Sequence, residues 1–417
     1  MMPFISSANL RKYELFFISF LVLIMPSLEA GKTLFWFLYL VTYVVRRYQD
    51  GSLSLVPRKP VNIAITLYLL ATLISTLVNW PFDNGFKGFH DEIRFTTLFL
   101  CLYSAGYSAR EYRQIALLVI VGVLGGLVYG MVEFLLHTRP ALQFHSAGVI
   151  TQSSIYLGIA IFLNAGLLLN RENDSRKLHN FLKLALLIQI IALIYMGSRG
   201  SMLAVLVTFI FLAILTLRAR IVVAWFTGLA VSIVIVSVLI QIFPDNVFSK
   251  DIFRQYSIER IKESDNQRIV AWEVAFAKLA TGQDLVWGIG PRNYKAIQDM
   301  DFVRQNEKLM KMQKYTHAHN LFLTQLIEQG LIGLLAMLYL FSVFLLRIRK
   351  IRRNEPDHSP GWSWYGGIGG LSIPIIAGSF NTPFYQEHAM LAMLVIGMMF
   401  ALSESACSDR RPLQKES

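Results

Sequence analysis

The chain has 417 residues, 54% of them hydrophobic and only 16% charged, and its mean hydropathy is +0.48. One soluble core cannot hide so much apolar surface, so the composition excludes an ordinary soluble globular protein and makes a lipid bilayer the solvent. The two cysteines, Cys101 in an apolar run and Cys407 near the end, leave no disulfide framework and no thiol metal site.

Spanning ~30 Å of hydrocarbon takes roughly 20 apolar residues per helix. Twelve such segments occur, near 14–29, 31–46, 61–79, 93–109, 114–137, 149–169, 181–197, 201–217, 221–243, 320–346, 361–381 and 387–403. The first follows Arg11 and Lys12 as a signal peptide would, yet no small-residue cleavage site follows it, and it reads as an uncleaved span. An all-α polytopic membrane protein is therefore expected, divided into spans 1–9 over 1–243, an outer loop over 244–319, spans 10–12 over 320–403 and a tail over 404–417.

Net charge is +12, which in a soluble domain would suggest nucleic acid. Its distribution answers otherwise. With the N-terminus inside, the short cytoplasmic connections hold seventeen Lys or Arg, from Arg46 to Arg353, whereas the short outer ones hold five: Lys32, Lys87, Arg94, Arg139 and Arg199. By the positive-inside rule both termini are cytoplasmic, and the basic excess is mostly topology.

The loop after the ninth span is the longest and most polar on the outer side, with 12 Lys or Arg and 10 Asp or Glu between Pro244 and Thr316. Outer loops of that length are usually functional. Within it, 266–280 reads as a surface helix, with Asp265 or Asn266 as N-cap, apolar Ile269, Trp272, Phe276 and Leu279 at helical spacing, and Gly282 as a stop. The Gly and Pro of "VWGIGPRNY" mark a tight turn at 286–294, and 301–315 reads as a second, more polar helix.

The residues able to carry chemistry gather on that outer side. In "HAHNLFLTQLIEQGLIG", His317 and His319 stand at the boundary of the tenth span, where an imidazole either ends a helix or accepts a proton from an attacking hydroxyl, with Asn320 placed to orient it. Metal ligation by the pair is disfavoured, because i and i+2 on a helix point apart and no third ligand is near. Arg199, in the short outer turn "MGSRGS", either caps the seventh span or holds an anion. Arg268 falls in the first turn of the expected loop helix, a place unfavourable to a cation unless it pairs with Asp265 or an anion joins it there. Glu328 and Glu133 are intramembrane carboxylates, functional or paired. Gly330, Gly333 and the Gly366–Gly370 cluster suit close helix packing better than a phosphate loop.

Taken together, Arg199, Arg268 in "NQRIVAWEVAF", the "WGIGPRNY" turn and "HAHNLFLTQLIEQGLIG" resemble the O-antigen ligase and Wzy-like glycan polymerase superfamily over residues 190–340. The resemblance implies an all-helical, GT-C-like membrane glycosyltransferase. It would move a glycan from undecaprenyl diphosphate to an acceptor hydroxyl, on lipid A core in the ligases, with neither metal nor other cofactor. It further implies that Arg199 and Arg268 hold the diphosphate and that His319 activates the acceptor, with His317 the weaker candidate and Asn320 and Glu328 in support. Nucleic acid is not an expected partner; membrane lipid is. The rival readings are a repeat-unit polymerase with the same chemistry and, from another class, a twelve-span transporter or flippase. The latter would normally show two related halves, and this chain has one off-centre loop.

Overall fold

A computed structural model describes residues 6–52, 59–79, 84–146, 148–170, 175–216, 234, 237–238, 241–242, 255–300, 303, 316–354, 361–381 and 384–409. Those residues form twelve α-helices, one 3-10 helix and no strand. In chain order the helices are α1 (Ser7–Ile24), α2 (Glu29–Gln49), α3 (Pro60–Val78), α4 (Gly85–Ser104), α5 (Ala109–Leu135), α6 (Ile150–Leu169), α7 (Arg176–Met196), α8 (Arg199–Thr216), α9 (Ile258–Ala280), α10 (Leu321–Asn354), α11 (Trp362–Gly378) and α12 (Gln386–Asp409). Seven of them, α3, α5, α6, α7, α8, α10 and α12, are long and apolar enough to cross a membrane. The expected ninth span at 221–243 and the expected helix at 301–315 lie, apart from isolated residues, outside the described part of the chain.

The bundle is built around α6, whose membrane-length window is almost wholly buried, with α11 and α12 against it. Small residues make that approach possible. On α11, Gly366 and Gly369 face Leu163 and Phe162 of α6, while Gly367 and Gly370 face Met399 and Val395 of α12, each where an added Cβ would stand 2.3–2.8 Å from its neighbour. The glycine cluster is therefore a packing wedge, as the sequence suggests.

Three boundaries depart from expectation. The fourth helix begins at Gly85 and stops at Ser104, because Ser108 and Glu111 form a reciprocal capping box that starts α5. The loop helix α9 begins at Ile258 rather than near 266, capped by the Ser257 hydroxyl, which accepts from the Arg260 N–H at 3.2 Å. Its first two turns are mostly charged and carry no apolar stripe to betray them. Lastly, α10 is broken at Gly330 (φ 69°, ψ −171°), so it is two helices end to end rather than one span from 320 to 346.

That break has a partner in the loop. The backbone N–H groups of Ile289 and Gly290 donate to the carbonyls of Ile327 and Glu328 at 3.0 and 2.8 Å, and Leu331 N–H donates back to Leu285 at 2.9 Å. Gly288 and Gly330, both with left-handed φ, pass so close that a Cβ on either would lie within 2.3 Å of the opposing carbonyl oxygen. Only glycine allows that crossing. Gly330 is thus a docking point for the "WGIGP" turn, which corrects its reading as a helix-packing residue. Around the crossing, Val274, Ala275, Ile289, Tyr294, Ile297, Ala318 and Ile327 form a second small core, separate from that of the bundle.

Candidate active site

His317 and His319 flank Ala318, which is fully buried in the loop core and whose N–H donates to the Thr324 hydroxyl at 3.1 Å. The segment is not helical, and alternate residues of a non-helical strand of chain turn to the same side. The two imidazoles therefore meet, with ring centroids 4.5 Å apart, and the expectation that they point apart is corrected. His319 sits at φ 49°, a left-handed conformation that costs a non-glycine residue roughly 1–3 kcal/mol and is held by its surroundings. Among those, Asn320 matters most: its Oδ1 accepts from the Leu323 N–H at 2.9 Å as the N-cap of α10, and its Nδ2 donates to the Ser379 carbonyl at 2.7 Å. Asn320 thereby fixes where the helix begins, directly after His319.

Arg199 is the first residue of α8, after Gly197 ends α7 in the left-handed conformation. A cation at a helix start, the misfit expected for Arg268, is therefore the situation of Arg199. Arg268 lies in the middle of α9, where free backbone N–H groups are out of reach. The two arginines nevertheless converge. Each donates to the same atom, Asp265 Oδ1, at 3.2 Å, and Arg268 donates with its other arm to Asn381 Oδ1 at 3.2 Å. Asn381 follows α11 and is buried, its amide nitrogen pressed against Gly200, where an added Cβ would stand 2.3 Å away.

The electrostatics join the two halves of the site. Burial pushes the Arg268 guanidinium below its usual range, Arg199 adds to that, and Asp265 opposes it. His319 is pushed down to about 4 by burial and then by the Arg268 charge, and His317 to about 3 by burial and by His319. Both imidazoles are thus neutral at physiological pH, and Arg268 and His319 feel one another's field.

Glu328 takes another direction. Its Oε2 accepts from the Arg292 N–H at 2.9 Å and its Oε1 from the Tyr294 N–H at 3.4 Å, so it fastens the "GPRNY" turn to α10. The helical phase that would align it with His317 does not exist, because the helix starts only at Leu321. Glu133 pairs with His145 at 2.7 Å. Among the described residues, no group of three or more His, Cys, Asp or Glu side chains is placed to hold a metal ion.

An apolar cavity of about 290 Å³ opens beside Asn320, lined by Trp272 and Phe276 of α9 and by Phe322, Leu323, Leu326 and Leu334 of α10. Trp272 and Phe276 stand one and two turns beyond Arg268 on α9, so the cavity leads away from the arginines along one helix face. Sequence reasoning missed Asn381 altogether, since a lone polar residue after an apolar helix carries no sign of its partner. Asp265 was legible only as a cap or a local partner.

Helices able to cross a membrane, with two guanidiniums and two neutral imidazoles gathered at one end, define a polytopic membrane protein with a site suited to an anionic substrate. Residues 184–338, which include Arg199, Arg268, His317, His319, Asn320 and Glu328, match the family described as O-antigen ligase. No curated protein matches the chain.

Proposed function

We propose that the protein is an O-antigen ligase, a twelve-span enzyme of a bacterial inner membrane with both termini cytoplasmic and its site on the periplasmic side. It transfers a glycan from undecaprenyl diphosphate to a sugar hydroxyl of lipid A core. The observation that carries this reading is the convergence of Arg199 and Arg268, from two different helices, on one anionic oxygen beside the neutral His319.

In this reading the diphosphate lies across the two guanidiniums, and the first free N–H groups of α8 add to its binding. The acceptor hydroxyl attacks the anomeric carbon while the bond from that carbon to the diphosphate oxygen breaks. The acceptor proton passes to His319, and the charge developing on the leaving diphosphate is stabilised by Arg199 and Arg268. An imidazole pushed down to about 4 is a weak base. Diphosphate binding neutralises the Arg268 field and raises its basicity as the reaction begins. The apolar cavity beside Asn320 suits the first isoprene units of the carrier, which must leave the diphosphate toward lipid. Supporting this orientation, seventeen Lys or Arg occupy the short connections at the opposite end, against five at the site end.

A strain lacking the gene tests the reading: full-length glycan should accumulate on the carrier while none reaches lipid A core. Attachment of single repeats instead would assign polymerase activity. Purified protein given carrier-linked glycan and lipid A core should form the larger conjugate without ATP; failure where a known ligase works would reject the enzyme.

A further inference from the structure

Asp265 stands three residues before Arg268 on α9, and its Oδ1 lies 3.2 Å from both Arg199 and Arg268. Two guanidiniums from separate helices repel one another, and here a single carboxylate oxygen bridges them. The Asp265 side chain is 48% exposed, whereas Arg268 keeps an independent tether to the buried Asn381. Asp265 can therefore rotate into water while Arg268 keeps its place on Asn381. Its oxygen also occupies the position between the two guanidiniums that a bridging diphosphate oxygen would need.

We propose that Asp265 is a built-in surrogate anion: it fills the diphosphate position between turnovers, yields to the incoming donor and returns to help expel the spent carrier diphosphate. The inference rests on the reading of Arg199 and Arg268 as the diphosphate clamp. Its chemical need follows from the reaction. The donor diphosphate is a diester with two charges, and transfer releases a monoester that carries up to one charge more. An uncompensated pair of guanidiniums would hold that product more tightly than the substrate, and product release commonly limits turnover. A competing carboxylate within the clamp weakens both complexes and relieves the trap. The alternative, that Asp265 only holds the arginines in place, makes the opposite prediction for affinity.

Farnesyl diphosphate, with farnesol as its uncharged control, serves as probe for the purified full-length protein in detergent. Asp265→Asn keeps an acceptor between the arginines but removes the charge. It should bind farnesyl diphosphate about tenfold more tightly at low salt, the scale of two partly exposed ion pairs. The probe should leave more slowly, farnesol binding should not change, and the gain should shrink as salt rises. Asp265→Ala should move in the same direction, and the melting temperature of each variant checks its fold. Unchanged or weaker binding in Asp265→Asn overturns the proposal, provided wild type prefers farnesyl diphosphate to farnesol and Arg199→Gln or Arg268→Gln abolishes that preference. If wild type shows no preference for the diphosphate, the clamp reading falls and this proposal falls with it.

Discussion

Two groups of charged side chains flank the segment between α11 and α12, and they satisfy their charges differently. Lys32 is 1% exposed; its ammonium bonds Glu387, lies 2.5 Å from Glu29 Oε2 and donates to the Ser146 hydroxyl at 2.9 Å. Nearby, Asp91 sits between Arg94, 3.5 Å away, and Arg292, whose guanidinium also covers the Tyr385 ring at 4.8 Å. Lys32 there has three partners and is sealed from solvent. At the candidate site, two guanidiniums share one oxygen of Asp265, whose side chain is half-exposed. A buried charge with a full complement of partners holds helices together, whereas cations that share one exposed anion keep capacity for another.

That contrast breaks if substitutions at the two places act alike. The largest effects should come from Arg199→Ala, Arg268→Ala and His319→Ala, each lowering glycan transfer by about 10²–10⁴-fold while melting temperature and expression hold. Arg→Lys should rescue poorly, since an ammonium cannot reproduce a bidentate fork. Lys32→Met should do the reverse. It strands Glu387 as a buried charge and costs about 3–5 kcal/mol, read as a lowered melting temperature, while whatever folds keeps its affinity for farnesyl diphosphate. Glu328→Ala comes next, at about 1–3 kcal/mol, because it orphans the Arg292 and Tyr294 N–H groups; Glu328→Gln, which still accepts, should lose less.

Smaller effects sharpen the picture. Gly200→Ala should push Asn381 off Arg268 and lower transfer about tenfold, with thermal stability nearly unchanged. The pH profile of kcat/KM reports the free enzyme. Because the His319 pKa is lowered, the neutral imidazole persists as pH falls, and the acid limb assigned to it should lie near pH 4 rather than near 6.5. A limb at 6.5 that disappears in His319→Ala would show that His319 is not shielded by Arg268 and burial in the way described.

The membrane-spanning character was legible from residue order alone, because lipid offers no partner to a backbone and a chain that crosses it must coil into long apolar helices. The charge bias of the connections and the types of residue in the site, Arg199, Arg268, His317, His319 and Asn320, were legible for similar reasons: they are local statements. Helix boundaries without an apolar stripe were not, which is why α9 starts eight residues before its expected position and Arg268 loses its place in a first turn.

What only the tertiary structure decided is who meets whom. The break at Gly330 exists because the "WGIGP" backbone docks there, and nothing within 321–354 announces a partner forty residues away. His317 and His319 meet because Ala318 is drawn into the loop core and Asn320 delays the helix, and Arg268 is held by Asn381, 113 residues distant. Sequence sets composition and periodicity, which bilayer and backbone read locally. Convergence of side chains from separate helices depends on packing, and so the cluster of Arg199, Arg268 and Asp265 became visible only in the folded chain.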